Sequence, residues 1–181
     1  MGRPSVRTAT VRDLDAYAAL VSGAYADIRE LGINFAAAHA DRDQIEQHLS
    51  DNVAYVLEDD GELLATVSVR YPWGPNPGPY GLPHLGWIAT APAHKRQGHA
   101  QHLIDHVERD VLREQVHAPA VSLGTAEHHP WLTAMYARLG YVESGRTDLG
   151  HGHITVYLTK VLDAAAYERF QHRTASPKDP S

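Results

Sequence analysis

The middle of the chain combines basic side chains with small residues in a pattern suited to binding an anion. Gly98 and Ala100 are small enough to let a ligand approach the backbone closely, and basic residues precede them. Apolar side chains at helical spacing follow from residue 100, so the first N–H groups of a helix would remain unpaired here. Such groups at the positive end of a helix bind pyrophosphate. We therefore predict an anion-binding turn of six residues: Lys95, Arg96, Gln97, Gly98, His99 and Ala100.

Two common classes of phosphate-binding protein do not fit this turn. No G-x-G-x-x-G motif opens a strand-helix-strand unit, and no G-x-x-x-x-G-K-[S/T] motif is present anywhere in the sequence. The sequence therefore lacks the phosphate-binding motifs that are typical of nicotinamide-dependent oxidoreductases and of nucleotide hydrolases.

The turn resembles the Q/R-x-x-G-x-G/A signature of the GNAT family of N-acetyltransferases, which wraps the pyrophosphate of coenzyme A. Lys95 stands in the first position, where the family usually has arginine or glutamine, and it keeps the positive charge. Residues 122–145 look like the family's strand and following helix, whose Tyr-x-x-x-Gly-Phe ending is similar to the segment from Tyr136 to Tyr141. The N-terminal strand and helix also look like those of the family, so the resemblance spans roughly residues 6–161.

The resemblance implies a mixed α/β fold with a central, mostly antiparallel twisted sheet of about six to seven strands, flanked by helices. It also implies that acetyl-CoA lies in a cleft between splayed middle strands. Apolar periodicity independently predicts strands over 5–10, 53–57, 63–69, 85–90, 120–125, 141–145 and 154–158. It predicts helices over 14–28, 41–49, 100–111, 131–139 and 163–172, the first two capped by Asp13 and Asp41. We expect a single domain over residues 1–173 and a disordered tail over 174–181.

Acetyl transfer to an amine requires a general base, because a primary amine is protonated at neutral pH. His84 begins the strand that leads into the turn, eleven residues before Lys95, and family members with a carboxylate base on this strand have it at a similar spacing. Histidine is a departure in residue type, yet its ordinary pKa of about 6.5 suits proton removal. Glu127 and His128 are alternative bases, since they follow a strand and could face the same cleft. A loop histidine that meets only solvent is the other interpretation of His84.

The resemblance also implies further contacts with the cofactor. Tyr136 matches the tyrosine that protonates the leaving thiolate in many family members, although a tyrosine packed on the sheet has the same pattern. His129 aligns with a family asparagine that binds the pantetheine arm, and it is also a plausible helix start beside Pro130. Backbone N–H groups near Ile88, Ala89 and Thr90 would polarise the acetyl carbonyl, as in an oxyanion hole.

The segment from Tyr71 to Pro83 contains five prolines, three glycines and three aromatic residues, and it predicts an irregular loop. In a fold of this kind the loop would lie over the acceptor site. Trp73 and Tyr80 are therefore candidate substrate contacts, together with His84, Glu127 and His128. A surface loop whose rings only pack onto the protein is an equally good interpretation.

Composition limits the possible partners. The chain has 181 residues, a formal net charge of −6 and no cysteine, which excludes a disulfide framework and a thiol nucleophile. An acidic chain argues against nucleic acid and favours a cationic small-molecule amine. No signal peptide and no span of about 20 apolar residues are present, so we expect a cytoplasmic location and no membrane partner. Family members often form homodimers, and the same is possible here.

Among amine acceptors, we expect an aminoglycoside antibiotic, because the chain resembles small resistance acetyltransferases of this family. Acidic residues that would suit a polycationic sugar are Glu58, Asp59, Asp60, Glu127 and Asp148. Polyamines, amino acids and protein N-termini are the alternatives. A non-catalytic acyl-CoA sensor is a further alternative, motivated by Lys95 and by the missing carboxylate at position 84.

Thirteen histidines raise the question of a metal site. His99, His102 and His106 fall on one helix face, and His151 and His153 would share a face of an extended segment. The sequence has no H-E-x-x-H motif and places no carboxylate ligand beside them. We therefore predict no metal.

Overall fold

The computed structural model describes residues 3–129 and 131–175, and a seven-stranded sheet forms its centre. The strand order is β1-β2-β3-β4-β5-β7-β6, and every neighbouring pair is antiparallel except β4 and β5, which are parallel. The strands are β1 (Ser5–Thr8), β2 (Val53–Asp59), β3 (Glu62–Arg70), β4 (His84–Thr90), β5 (Ala120–Ala126), β6 (Val142–Asp148) and β7 (Ile154–Val161). The mixed α/β fold with a mostly antiparallel sheet is therefore confirmed.

Helices cover both faces of the sheet. They are α1 (Leu14–Ala24), α2 (Ala26–Glu30), α3 (Ala36–His39), α4 (Arg42–Asp51), α5 (His99–His106), α6 (Leu132–Arg138) and α7 (Ala164–Ala175). The helix that starts as α5 continues with π geometry over Val107–Arg113, and short 3-10 turns occupy Val11–Asp13, Pro79–Gly81 and Pro92–His94. Within the described ranges no helix combines the length and apolar character needed to cross a bilayer.

Side-chain alternation along β3 divides the interior into two cores. Val67 and Val69 pack with the α5 residues Leu103 and Ile104 on one face. On the other face α1 and α4 pack on the sheet through apolar side chains that include Leu14, Tyr17, Val21 and Ile45. Because successive strand residues point to opposite faces, Ser68 and Arg70 lie on the α4 side.

The first two helix caps differ in outcome. The Asp41 side chain accepts a hydrogen bond from the Gln44 backbone N–H at 2.9 Å, which confirms it as the cap of α4. Asp13 makes no capping bond to α1, so that prediction is wrong. Its carboxylate instead pairs with the Arg7 guanidinium at 2.8 Å and accepts from the Thr10 N–H at 2.8 Å.

Two further boundaries differ from expectation. The first helix stops at Ala24, because Tyr25 leaves helical geometry at φ −90° and ψ 5° before α2 begins. Helix α7 continues to Ala175, so residues 174 and 175 of the expected tail are helical. Residues 176–181 of that tail lie outside the described part of the chain.

The sheet opens between β4 and β5. These strands are in register only at His84 with Ser122 and at Leu85 with Leu123. Trp87, just beyond, has a left-handed φ of 49°, and the pairing of β3 with β4 shifts between Thr66 and Ser68. The resulting β-bulge turns β4 away from β5 and leaves a gap in the middle of the sheet.

Candidate active site

Two adjoining cavities occupy the region where the sheet opens. The smaller one, about 190 Å³, lies between β4, α6 and the predicted anion-binding turn. The larger one, about 680 Å³, lies beside α4 and the first half of β4. Both are lined by Tyr25, Phe35, Ile88 and Leu132, so they form one continuous cleft. Continuity of this kind allows two ligands to meet inside the protein.

The predicted turn has the backbone geometry of an anion-binding site. Arg96 and Gly98 both adopt left-handed φ values, 63° and 80°. The first hydrogen bond of α5 runs from the His102 N–H to the Gly98 carbonyl at 2.9 Å, so the N–H groups of residues 99–101 have no helical acceptor. Lys95 and Ala100 line the smaller cavity, and the Lys95 ammonium also pairs with Asp27 at 2.8 Å. The His99 ring contacts the Gln97 side chain at 3.2 Å on the surface.

The second half of β4 forms one wall of the smaller cavity. Ile88, Ala89 and Thr90 all line it. This part of β4 pairs with β3 on one side, whereas on its other side it makes no ladder hydrogen bonds with β5. The Tyr25 hydroxyl donates to the Ile88 carbonyl at 3.1 Å and fixes the bulged segment. The free side of β4 therefore offers backbone hydrogen-bonding groups to a ligand.

Tyr136 reaches the smaller cavity from α6. Its ring packs edge-on against Tyr141 at 5.8 Å, and its hydroxyl has no hydrogen-bond partner among the described residues. Burial raises the pKa of this phenol above its ordinary value, so it remains protonated at neutral pH. Tyr136 is thus both packed on the sheet and available as a proton donor.

His84 lies at the start of β4 and lines the larger cavity with only 6% of its surface exposed, so the interpretation as a solvent-exposed loop histidine is wrong. Its Nδ1 is 2.8 Å from the Ser122 hydroxyl, which in turn can donate to the Pro83 carbonyl at 3.4 Å. In that arrangement Nδ1–H donates to Ser122 and the lone pair of Nε2 is left for the cavity. Burial and then the charge of Arg70 lower the pKa of His84 to about 3, so the ring is neutral at pH 7.

The floor of the larger cavity contains polar residues that sequence reasoning missed. The His48 Nε2 lies 2.6 Å from the Ser68 hydroxyl, and the His48 ring stacks on Trp87 at 3.7 Å. Burial and then the charge of Arg70 lower the pKa of His48 to about 4. Ser68 and Arg70, two residues apart in an otherwise apolar strand, were the available signal, because that spacing places both on one face.

Nine predicted site residues do not line either cavity. Four belong to the turn, and the others lie elsewhere: Arg96, Gln97, Gly98, His99, Trp73, Tyr80, Glu127, His128 and His129. Trp73 is 71% exposed and its ring stacks on Tyr71 at 4.8 Å, whereas the Tyr80 ring packs against Tyr157 at 5.8 Å. The Glu127 carboxylate is held on the surface by Arg146.

The two histidines after β5 have different surroundings. The His128 ring lies 6.0 Å from His153, which itself lines the larger cavity. His129 is buried, and neither of its ring nitrogens has a hydrogen-bond partner within the described ranges. An unpartnered buried imidazole is costly, and a ligand that supplies a donor or acceptor would satisfy it.

The charge of the larger cavity differs from that of the whole chain. Its lining contains a single carboxylate, Asp51, together with Arg70 and the histidines His39, His48, His84, His151 and His153. The acids on which the aminoglycoside prediction depends line neither cavity: Glu58, Asp59, Asp60, Glu127 and Asp148. Glu58 is paired with Arg7, and Asp148 accepts from the Gly150 N–H at 2.8 Å. The acidic character of the chain therefore does not extend to its cleft.

The histidine groups do not assemble into a metal-binding arrangement in the described part of the chain, where no three His, Asp or Glu residues could hold an ion together. His102 is exposed on α5 and His99 is half-buried at its start, whereas His106 pairs with Asp110 at 2.8 Å. His151 and His153 approach each other at 6.4 Å beside the larger cavity.

Comparison with known proteins places the chain among acetyltransferases. The model of the Acetyltransferase (GNAT) family matches residues 24–141. An S-(2-succino)cysteine N-acetyltransferase of Bacillus subtilis is 49% identical over 160 residues, which cover 88% of this chain and 97% of the relative. An S-alkylcysteine N-acetyltransferase of the same organism is 40% identical over 157 residues, covering 86% of this chain and 88% of the relative.

Solved structures share the fold at low sequence identity. The ribosomal-protein-S18-alanine N-acetyltransferase of Escherichia coli superposes with a TM-score of 0.67 at 15% identity, covering 89% of this chain and 95% of its own. An N-acetyltransferase from Staphylococcus aureus Mu50 gives a TM-score of 0.66 at 14% identity, covering 88% and 98%. These similarities show the shared fold.

Proposed function

The chain belongs to the GNAT family of acetyltransferases, and from this premise we propose that it acetylates the α-amino group of an S-substituted cysteine, with acetyl-CoA as donor. Both Bacillus relatives are named for cysteine derivatives, at 49% and 40% identity. This acceptor replaces the expected aminoglycoside, which neither the relatives' names nor the charge of the cleft supports. A cytoplasmic location fits the proposal, because the reaction consumes acetyl-CoA.

The residues of the smaller cavity and its turn fit the donor. When bound, acetyl-CoA supplies the acetyl group as a thioester. The N–H groups of residues 99–101 and the Lys95 ammonium would bind its pyrophosphate. The free side of β4 at Ile88, Ala89 and Thr90 would hold the pantetheine arm, and the unpartnered His129 ring would supply a further hydrogen bond.

His84 and Tyr136 carry the two proton transfers. The Nε2 of His84 accepts a proton from the ammonium form of the acceptor, which leaves a free amine that attacks the thioester carbonyl. As the C–N bond forms and the C–S bond breaks, the Tyr136 hydroxyl gives its proton to the departing thiolate, which leaves as the thiol of coenzyme A. The attacking nitrogen loses its second proton when it becomes the amide, and a proton returns to the tyrosinate through solvent. The His84 imidazolium releases its proton to solvent, so both side chains return to their starting states.

A single observation carries the proposal: a neutral histidine and a protonated tyrosine line adjoining parts of one cleft at the gap between β4 and β5. The test is acetyl-CoA-dependent thiol release with S-methylcysteine, S-(2-succino)cysteine, an aminoglycoside, a polyamine and a short peptide. We expect saturable turnover only with the cysteine derivatives.

A variant of the base makes the test specific to this site. His84→Gln keeps a polar side chain but no basic ring, and we expect kcat to fall by about 100-fold, within the range for loss of a general base. His102→Gln, on the exposed side of α5, is the matched control and should behave as the wild type. Turnover confined to the aminoglycoside, polyamine or peptide would overturn the proposed acceptor, and full activity of His84→Gln would overturn the assigned base.

A further inference from the structure

Arg70 ends β3 as a half-buried cation that lines the larger cavity. No carboxylate pairs with its guanidinium and no hydrogen bond reaches it from residues 3–129 or 131–175. Burial lowers its pKa, which shows that the charged form is held at a cost. Buried arginines are normally paired, so this unpaired cation indicates a missing anionic partner.

The nearest carboxylate of the cavity lining does not fill that role. Asp51 lies on α4, and its Oδ1 accepts a hydrogen bond from the Gln47 side chain at 2.8 Å. Its charge acts on His48 rather than on Arg70. The guanidinium is therefore left to a ligand.

The register of the sheet brings this cation beside the base. Arg70 on β3 is the direct partner of His84 on β4, and both side chains line the same cavity. The positive charge of Arg70 acts on His84 and also on His48. Directly paired residues of antiparallel strands have Cβ atoms only about 5 Å apart. A ligand that reaches both residues must carry its amine and its anion close together.

We infer that Arg70 binds the α-carboxylate of the acceptor and thereby restricts the site to α-amino acids. The inference rests on the proposed function and adds the recognition of the main-chain end of the acceptor. In an α-amino acid the amine and the carboxylate share one carbon, so an amine at His84 places the carboxylate beside Arg70. The planar guanidinium can hold both carboxylate oxygens, which fixes the direction in which the amine faces.

Occupation of Arg70 would also change the base. A bound carboxylate offsets the positive charge that lowers the pKa of His84, so the imidazole becomes a stronger proton acceptor when the acceptor is in place. The remaining titratable residues that line the cavity are Tyr25, His39, His48, Asp51, His151, His153 and Tyr157. Simple amines lack the carboxylate, so they neither bind to Arg70 nor make His84 a stronger proton acceptor.

The test compares S-methylcysteine with its carboxamide, which keeps the amine and the thioether but removes the negative charge. For the wild type we expect kcat/KM for the acid to exceed that for the amide by about 100-fold, the loss typical of a charge-assisted hydrogen-bonded pair. Arg70→Gln should lower kcat/KM for the acid by about 100-fold, mainly through KM, and change that for the amide by less than about 3-fold.

Two further variants separate recognition from structure. Arg70→Lys keeps the charge without the planar fork and should restore part of the preference for the acid. Arg42→Gln removes an exposed arginine of α4 that pairs with Asp15, and it should leave the preference unchanged. If Arg70→Gln fails to fold, the wild-type ratio of kcat/KM for the acid to kcat/KM for the amide still tests whether the site recognises the α-carboxylate.

The outcomes separate the inference from the proposed function. If the wild type acetylates neither compound but acetylates another amine, the proposed function fails. If it acetylates acid and amide equally well, or if Arg70→Gln affects both equally, the proposed function stands and the role of Arg70 is overturned.

Discussion

At the scale of single residues, the proposed base and the proposed acid are both held in their neutral forms. The phenol of Tyr136 stays protonated because burial disfavours its anion, and the ring of His84 stays unprotonated because burial and Arg70 disfavour its cation. Both states are the ones that acetyl transfer needs at its start. The same physical effect, removal of water from around a titratable group, therefore keeps both side chains in the protonation state from which they would act, while it makes the tyrosine a weaker acid and the histidine a weaker base.

The role of Tyr136 can be tested by removing only its hydroxyl. Tyr136→Phe keeps the ring that packs against Tyr141, and we expect kcat to fall by about 100-fold while the affinity for acetyl-CoA changes little. Steady-state kinetics together with calorimetric titration of acetyl-CoA would measure both quantities. Tyr167→Phe, in the C-terminal helix, is the control. Unchanged kcat in the Tyr136 variant would assign the proton to another donor.

Sequence reasoning reached part of the site at this scale. The turn residues, Tyr136 and His84 were accessible because short motifs and spacings mark them in the chain. Arg70 and His48 were not, because their meeting depends on the register of β3 with β4 and on the packing of α4 across them. Such contacts join residues that are far apart in the sequence, so local sequence patterns do not predict them.

At the scale of elements, the loop between β3 and β4 packs on His84, the proposed base, and its aromatic rings do not line the cleft. Gly78 packs directly on His84, and a Cβ at this position would overlap the His84 Cβ and lie 2.7 Å from its Cγ. Only glycine leaves room for the imidazole where it is. The composition of the loop predicted an irregular segment correctly, but it gave no information on which residue touches the base.

The fit of this loop gives a prediction for Gly78→Ala. The added methyl group should push the His84 ring away from Ser122, so kcat should fall by about 10-fold or more, and stability should fall by about 1 to 3 kcal/mol, as overpacking typically costs. Activity assays and urea unfolding would measure the two effects. In Gly74→Ala, in the same loop, the new Cβ meets only the Tyr71 carbonyl oxygen at 3.3 Å, so both values should stay close to the wild type. A Gly78→Ala enzyme with wild-type kcat would show that the loop does not hold His84.

Elements with strong periodicity were predictable, and those shaped by packing were not. All seven strands were found from apolar alternation and turn residues, with ends that differ by a few residues. The short helix α3 was not predicted, α2 was merged into the predicted helix 14–28, and the change to π geometry after His106 falls inside the predicted helix 100–111. Their form depends on neighbours across the fold.

At the scale of the whole molecule, net charge was a poor guide to the charge of the cleft. The chain carries −6, yet its larger cavity contains an unpaired arginine and several histidines. Charges on the outer surface, many of them paired with arginines, determine the total. The charge that meets a substrate is set by the few residues that the fold turns inward.

Buried neutral histidines make the stability of the protein depend on pH. The pKa values of His48 and His84 are lowered to about 4 and about 3, below the value of about 6.5 in an unfolded chain. Between pH 6.5 and 4 the unfolded state therefore binds protons that the folded state does not, and stability falls as pH falls. Each histidine contributes a slope of up to about 1.4 kcal/mol per pH unit in this window.

Urea unfolding between pH 7 and 4.5 measures this dependence. We expect His48→Gln to reduce the slope, because one of the two coupled protonations disappears, while the exposed control His102→Gln keeps the wild-type slope. Equal slopes in all three proteins would show that His48 is not kept neutral by the fold.

The short contact between β4 and β5 gives the molecule an unusual interior. A sheet normally exposes unpaired backbone groups only at its margins, where they invite pairing with another chain. Here the free edge lies in the centre, along β4 beyond Leu85, and Tyr25, Leu132 and Tyr136 line the space in front of it. A whole polypeptide strand is thus kept out, whereas a slender ligand with amide groups can complete the ladder. The unpaired edge of β4 therefore lies inside the cleft, where a small ligand can reach it and a neighbouring chain cannot.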